Sequence, residues 1–294
     1  MNKNFKILLL VAIIGFAAIL ISLAVWYISS HNMAVLNPMG VVAEEQRSLL
    51  VQATLLMAIV VIPVLILTFV ISWRYRAGNK KARYSPELSG SKLAEAVWWL
   101  VPLVIVVILA GLAWTSSHNL DPYKPLASSK KPLKVQVIAL EWKWLFLYPD
   151  QQVASVNYLP IPTDTPVEFT ITADAPMNSF WIPQLGGQIY AMSGMSTKLH
   201  LNATHEGTYR GSSANLSGEG FAGMTFNAHA MPQGQFDAWV AQTHSAAMLN
   251  LDAYNELAKP SRDVKPTGYN FPSGYSGLYD TVIMKYMKPQ SEGH

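Results

Sequence analysis

Tyr209-Arg-Gly-Ser-Ser-Ala-Asn-Leu-Ser-Gly-Glu-Gly-Phe-Ala-Gly-Met224 is the stretch on which the reading of this chain turns. Taken alone it is a Ser/Gly-rich turn between two extended segments. Its polar side chains, Ser213, Asn215 and Ser217, offer hard, neutral oxygens. Phe221 cannot ligate anything, and Met224 is a single soft donor, too weak to hold a metal by itself. The chain contains no cysteine, which excludes disulfides, thiolate metal sites and cysteine nucleophiles.

Upstream of this loop the pattern is that of short strands. Lys134-Val-Gln-Val-Ile-Ala-Leu140, Pro166-Val-Glu-Phe-Thr-Ile-Thr172 and Ser196-Thr-Lys-Leu-His-Leu201 alternate with period two. Polar turns such as Pro149-Asp150, Asp174-Ala-Pro176 and Glu206-Gly207 separate them. Regular short strands with polar turns predict an all-β sandwich or small barrel. Beyond Met231-Pro232 the chain reads as helical. Phe236, Trp239 and Val240 share a face, and further helices are expected at 247–257 and 278–287, with a Pro/Gly/Ser/Tyr-rich loop at 260–277 between them.

Before residue 120 the composition differs. Charged residues are only 13% of the chain, about half the roughly 25% usual in soluble domains, and the shortage is concentrated. Residues 7–30, 48–73 and 96–120 contain no Asp, Glu, Lys or Arg, and each is long enough to cross a hydrocarbon core, which takes about 20 apolar residues. Basic residues mark the cytoplasmic side of a membrane. Lys3 and Lys6 precede the first run, and Arg74, Arg76, Lys80, Lys81, Arg83 and Lys92 face a single Glu87 between the second and third. Residues 31–47 carry only Arg47 against Glu44 and Glu45. The expected topology places the N-terminus and the 74–94 loop inside, and residues 31–47 and everything after 120 outside. The first run is either a signal peptide, with Ser22 and Ala24 as a small-x-small site, or an uncleaved anchor; its length favours the anchor.

Three further features carry chemical meaning. Leu140-Glu-Trp-Lys-Trp-Leu-Phe-Leu-Tyr148 concentrates aromatics, for which burial in a core or interface is the plain reading. Glu95 is the lone carboxylate at the cytoplasmic mouth of the third run, where it serves either as a functional ionisable group or as an interfacial helix-start residue. The seven histidines form no helical H-x-x-x-H pair, and no nucleophile elbow, phosphate loop or paired-carboxylate arrangement occurs. No catalytic residue is assigned, and no metal site.

The loop, taken with Met177-Asn-Ser-Phe-Trp-Ile-Pro183 and the apolar hairpin, resembles subunit II of the haem–copper oxidases. In that family the loop carries the ligands of a dinuclear copper centre in the run C-x-E-x-C-x-x-x-H-x-x-M. By residue match Ser213 and Ser217 stand at the cysteine positions, Asn215 at the glutamate, Phe221 at the histidine and Met224 at the methionine, while Asn178 matches an earlier ligand histidine. Glu44-Glu-Gln-Arg-Ser-Leu49, Tyr75-Arg-Ala-Gly-Asn-Lys80, Tyr84-Ser-Pro86 and Gln188-Ile-Tyr-Ala-Met-Ser-Gly-Met195 look like the branch that forms subunit II of bo-type ubiquinol oxidases, which lacks the copper pair.

The resemblance implies a membrane-anchored α + β chain in four parts. Residues 1–30 form a signal peptide or anchor span, and residues 31–120 a transmembrane hairpin with spans at about 48–73 and 96–117. Residues 121–235 form a periplasmic cupredoxin-like β-sandwich, and residues 236–294 a C-terminal helical extension. It implies a multi-pass protein of the bacterial inner membrane, partnered by a catalytic subunit I, other oxidase subunits and the bilayer, and meeting ubiquinol only through the complex. Haems and copper would lie in subunit I and no cofactor in this chain; neither cytochrome c nor nucleic acid would be a partner. Trp142 and Trp144 match electron-entry aromatics with no copper to serve, Glu95 matches the entrance of a proton path, and Asn178 and the loop polar groups would fill the former site by hydrogen bonding to one another. Three other readings stay open: subunit II of a cytochrome c oxidase, a membrane-anchored β-sandwich assembly or binding module outside any oxidase, and an independent periplasmic enzyme on an anchor, against which the lack of any ligand or nucleophile constellation argues.

Overall fold

The computed structural model describes residues 33–76, 78–79, 90–262, 264–275 and 277–287, together with residues 15, 16, 19, 20, 22, 23, 26, 27 and 30. The expected signal or anchor segment at 1–30 lies largely outside the described residues, as does most of the basic loop.

Two long helices precede the β domain, α1 (Val41–Arg74) and α2 (Lys92–Asn119). Both are long and apolar enough to cross a membrane. Leu55, Phe69, Trp99 and Val107 are exposed along them, as most of their large side chains are. Pro63 and Pro102 lie inside the helices, which continue through them. Each helix extends past its uncharged run into polar flanks. The extra turns of α1 have a purpose in the fold, because they dock on the β domain. The Met39 N–H donates to the Gln184 carbonyl at 2.8 Å, and the Ala43 N–H to the Leu185 carbonyl at 3.2 Å. The Val41 N–H, unpaired within its own helix, donates to Asn202 Oδ1 at 3.1 Å. Gly40 makes this approach possible, since a Cβ there would lie 2.3 Å from the Asn202 carbonyl oxygen.

The β domain packs a six-stranded sheet, in order β11-β3-β2-β1-β5-β8, against a five-stranded sheet, in order β4-β10-β9-β6-β7. The first holds β1 (Leu133–Leu140), β2 (Lys143–Tyr148), β3 (Val153–Val156), β5 (Val167–Ala173), β8 (Thr197–Leu201) and β11 (Thr267–Asn270). The second holds β4 (Tyr158–Pro162), β6 (Asn178–Trp181), β7 (Ile189–Ala191), β9 (Gly207–Ser213) and β10 (Thr225–Met231). Each sheet has one parallel pair, β1 with β5 and β4 with β10, and antiparallel neighbours elsewhere. Between the sheets lie Val135, Val137, Trp144, Phe146, Phe169, Phe180 and Phe226, all at or near zero exposure. Phe180 stacks on Phe226 at 5.2 Å, and Trp144 meets both edge-on, arrangements that favour aromatic pairs.

β2 is buried at all six positions, which one sheet face cannot explain. Its other face, with Leu145 and Leu147, joins Ile138, Leu140, Tyr254, Phe271, Leu278, Tyr279 and Val282 in a second apolar cluster. The C-terminal segment supplies that cover through α4 (Leu251–Ala258) and α5 (Leu278–Met287), after α3 (Gln233–Thr243). The C-terminal helices expected after residue 236 are present, and the difference from expectation lies in the segment read as loop between them. Within the expected 260–277 loop, Thr267-Gly-Tyr-Asn270 forms β11 and pairs antiparallel with β3. An uncovered β3 would leave a row of unpaired backbone groups, and the added strand satisfies them. The helix expected at 247–257 begins at Leu251, where Asn250 accepts the Ala253 N–H at 2.8 Å as its cap.

Candidate functional site

The 209–224 stretch falls where β9 ends, runs through a short 3₁₀ turn at Phe221–Gly223 and enters β10. β6 pairs with β9 here, Phe180 opposite Ser213, so Asn178 comes beside the loop. The buried Ser213 hydroxyl donates to Asn178 Oδ1 at 2.9 Å and also lies 3.2 Å from the Asn215 carbonyl. Asn178 Nδ2 donates to the Pro176 carbonyl at 2.7 Å, which orients its side-chain oxygen toward Ser213. The Ser179 hydroxyl donates to Asn215 Oδ1 at 3.3 Å. Met224 is fully buried below them.

The expected network is therefore present in part. Asn178, Ser213 and Asn215 are brought together, and Ser179, not singled out in the sequence, joins them. Ser217 does not; its hydroxyl oxygen is shielded from solvent and has no hydrogen-bond partner among the described residues. Phe221 is partly exposed on the 3₁₀ turn.

The two tryptophans have separate surroundings. Trp144 is fully buried between the sheets. Trp142 sits at the β1–β2 turn with φ +62° and lies under the loop. Its indole N–H donates to the Ser217 carbonyl at 3.3 Å, and the Arg262 guanidinium covers its ring at 5.3 Å while pairing with Glu219. Glu95 is exposed in the first turn of α2, at the end of that helix away from the β domain. Ser91 caps that helix by accepting the Ala94 N–H at 3.4 Å. Glu95 makes no ion pair among the described residues. Among the described residues no three His, Cys, Asp or Glu side chains gather as a metal site.

A second polar cluster escaped the sequence reading. Asp174, whose side chain is 2% exposed, accepts from the Tyr254 hydroxyl at 2.7 Å, Lys285 Nζ at 2.7 Å and the Tyr286 hydroxyl at 2.6 Å. Burial pushes the Asp174 carboxyl up, but the three donors outweigh it and hold it below the usual carboxylate range. The bond to Asp174 raises Lys285, while burial and then Asp174 raise Tyr254 and Tyr286. Lys143, fully buried, donates to the Lys259 carbonyl at 2.7 Å, so two charged side chains fix the C-terminal segment to the first sheet. Asp174 read as an ordinary turn residue in Asp174-Ala-Pro176. Only the run of Tyr and Lys at 279–286 hinted at partners.

Two family descriptions match this chain. Residues 147–231 match the periplasmic domain of cytochrome c oxidase subunit II, and residues 244–290 match the COX aromatic rich motif. The cytochrome bo(3) ubiquinol oxidase subunit 2 of Pseudomonas aeruginosa is 51% identical over 87% of this chain and 77% of its own length. The ubiquinol oxidase subunit 2 of Acetobacter aceti is 45% identical over 87% of this chain and 83% of its own. Among solved structures, the periplasmic domain of subunit II of the Bradyrhizobium japonicum cytochrome oxidase is 21% identical, covers 40% of this chain and 96% of its own, and has a TM-score of 0.37.

Proposed function

The chain belongs to the subunit 2 family of the cytochrome bo(3) ubiquinol oxidases, and from that premise we propose that it is the copper-free second subunit of a membrane complex that oxidises ubiquinol and reduces oxygen to water. In this reading the chemistry belongs to a catalytic subunit I, which holds the haems and the copper. The present chain braces that subunit with its helix pair and covers its outer face with the sandwich.

The observation that carries the reading is the Ser213–Asn178 hydrogen bond. A dinuclear copper centre requires soft thiolates and imidazoles. Here two of the matching positions are hydroxyl and amide groups already satisfied by each other, a third is a phenyl ring, and the chain has no cysteine. These residues do not fit a copper pair, and no electron transfer is routed through them. Trp142 and Trp144 then act as packing groups, one beneath the loop and one between the sheets.

The α1 and α2 helices anchor the chain, with the sandwich on the periplasmic side as the charge asymmetry of the loops dictates. Glu95, at the opposite end of α2, marks the entrance for protons taken up from the cytoplasm; its carboxylate is exposed and makes no ion pair among the described residues. The copper reading is tested on the purified complex with Met224→Leu, which removes the one soft donor left in the loop. The copper-to-haem ratio should match wild type, and a lower ratio would contradict the proposal.

A further inference from the structure

A groove of about 480 Å³ opens where the first turns of α1 meet the loop between β6 and β7. Val35, Trp181 and Pro183 give it an apolar wall, Gln46 and Gln188 add polar edges, and among the described residues Arg47 is the single charged side chain lining it. Arg47 is exposed and makes no ion pair or hydrogen bond among the described residues. It is also the last charge before the uncharged run of residues 48–73. Gly187 keeps the groove narrow but open, since a Cβ there would lie 3.1 Å from Gln46 Nε2.

We infer that this groove binds a glycerophospholipid of the outer leaflet, with its phosphodiester on Arg47. The inference rests on the membrane-anchored reading above. The position is right: Arg47 lies about 9 Å along the helix from Val41, at the boundary between the docked turns and the apolar span. A guanidinium matches phosphate geometry through its planar fork of donors, and an indole such as that of Trp181 favours this depth. Leu50 and Val51, three and four residues on, share the helix face of Arg47 and are exposed, so an acyl chain leaving the groove finds apolar surface directly below. The neighbouring cleft is lined by Glu45, Asp121 and Asp164 as well as Lys124 and His200; its carboxylates repel a phosphodiester, which confines the ligand to the Arg47 side.

The test uses the whole complex in phosphatidylcholine nanodiscs containing phosphatidylglycerol with a photoactivatable headgroup. In wild type the label should concentrate on peptides carrying Trp181 to Gln188 and Arg47. It should fall about fivefold in Arg47→Gln, the equivalent of the roughly 1 kcal/mol one basic residue contributes near anionic headgroups, and recover in Arg47→Lys. Arg210→Gln, an exposed arginine on β9 away from the groove, should leave it unchanged. Equal labelling of wild type and Arg47→Gln overturns the site, as does a photoreactive residue at Gln188 that captures another polypeptide. Extraction of the chain from membranes by alkaline carbonate would instead overturn the anchoring premise.

Discussion

Ser213 and Asn178 satisfy one another at the end of the sandwich, hydroxyl to side-chain oxygen, at 2.9 Å. They come from β9 and β6, strands that pair directly at this point. A buried polar group left without a partner costs more than its hydrogen bond contributes, so the pair stabilises the loop only while both members remain.

Replacing one member tests this. Ser213→Ala should lower the stability of the complex by about 1–2 kcal/mol, read as a drop in thermal midpoint, because Asn178 Oδ1 loses its donor. Ubiquinol oxidation per intact complex should not change. A large loss of turnover without loss of stability would show that the loop takes part in electron flow.

The Asp174 clamp has a pH signature. Its folded-state pKa is depressed, so its contribution is present above the unfolded value, roughly 4, and disappears as pH falls through the folded value. Lys285, Tyr254 and Tyr286 are raised; their contributions are full below their unfolded values, roughly 10, and disappear as pH rises through the folded ones. Protection of residues 251–287 from proteolysis should therefore hold between about pH 5 and 9 and fall on both sides. Asp174→Asn should weaken the clamp by about 2 kcal/mol, a figure kept modest because Lys285 is more than half exposed, and should abolish the acid limb.

Gly40→Ala should loosen the joint between α1 and the sandwich. The added carbon meets a backbone oxygen at 2.3 Å, which no side-chain rotation relieves, and overpacking of this kind costs about 1–3 kcal/mol. The expected result is weaker retention of this subunit during purification of the complex, with Gly274→Ala, where a Cβ meets nothing within 4 Å among the described residues, as the unaffected control.

Glu95→Ala should slow proton uptake by the assembled enzyme, measured with a pH dye in vesicles, and Glu95→Asp should restore part of it. Unchanged uptake in Glu95→Ala would leave the residue as an acidic helix-start group in the first turn of α2.

The sandwich was legible in residues 134–137 and 167–171, where the alternation of apolar and polar positions records one buried face. It was less legible in Lys143–Tyr148, where both faces are covered and alternation vanishes. β11 left almost no signature: Thr267-Gly-Tyr-Asn270 has little strand character of its own and owes its form to the edge of β3. Asn178 and Ser213 could be paired in advance only through the family spacing, whereas the partners of Asp174 lie 80 to 112 residues away, beyond the reach of any local pattern. Ser217 shows the limit of spacing itself, since its position in the run did not bring its hydroxyl into the network.

The central claim is that electrons enter this complex from ubiquinol and bypass the present chain. Oxygen uptake by the purified complex, with ubiquinol and reduced cytochrome c offered separately, tests it most directly. Rapid uptake with ubiquinol and none with cytochrome c is the predicted result; uptake driven by cytochrome c would contradict the account.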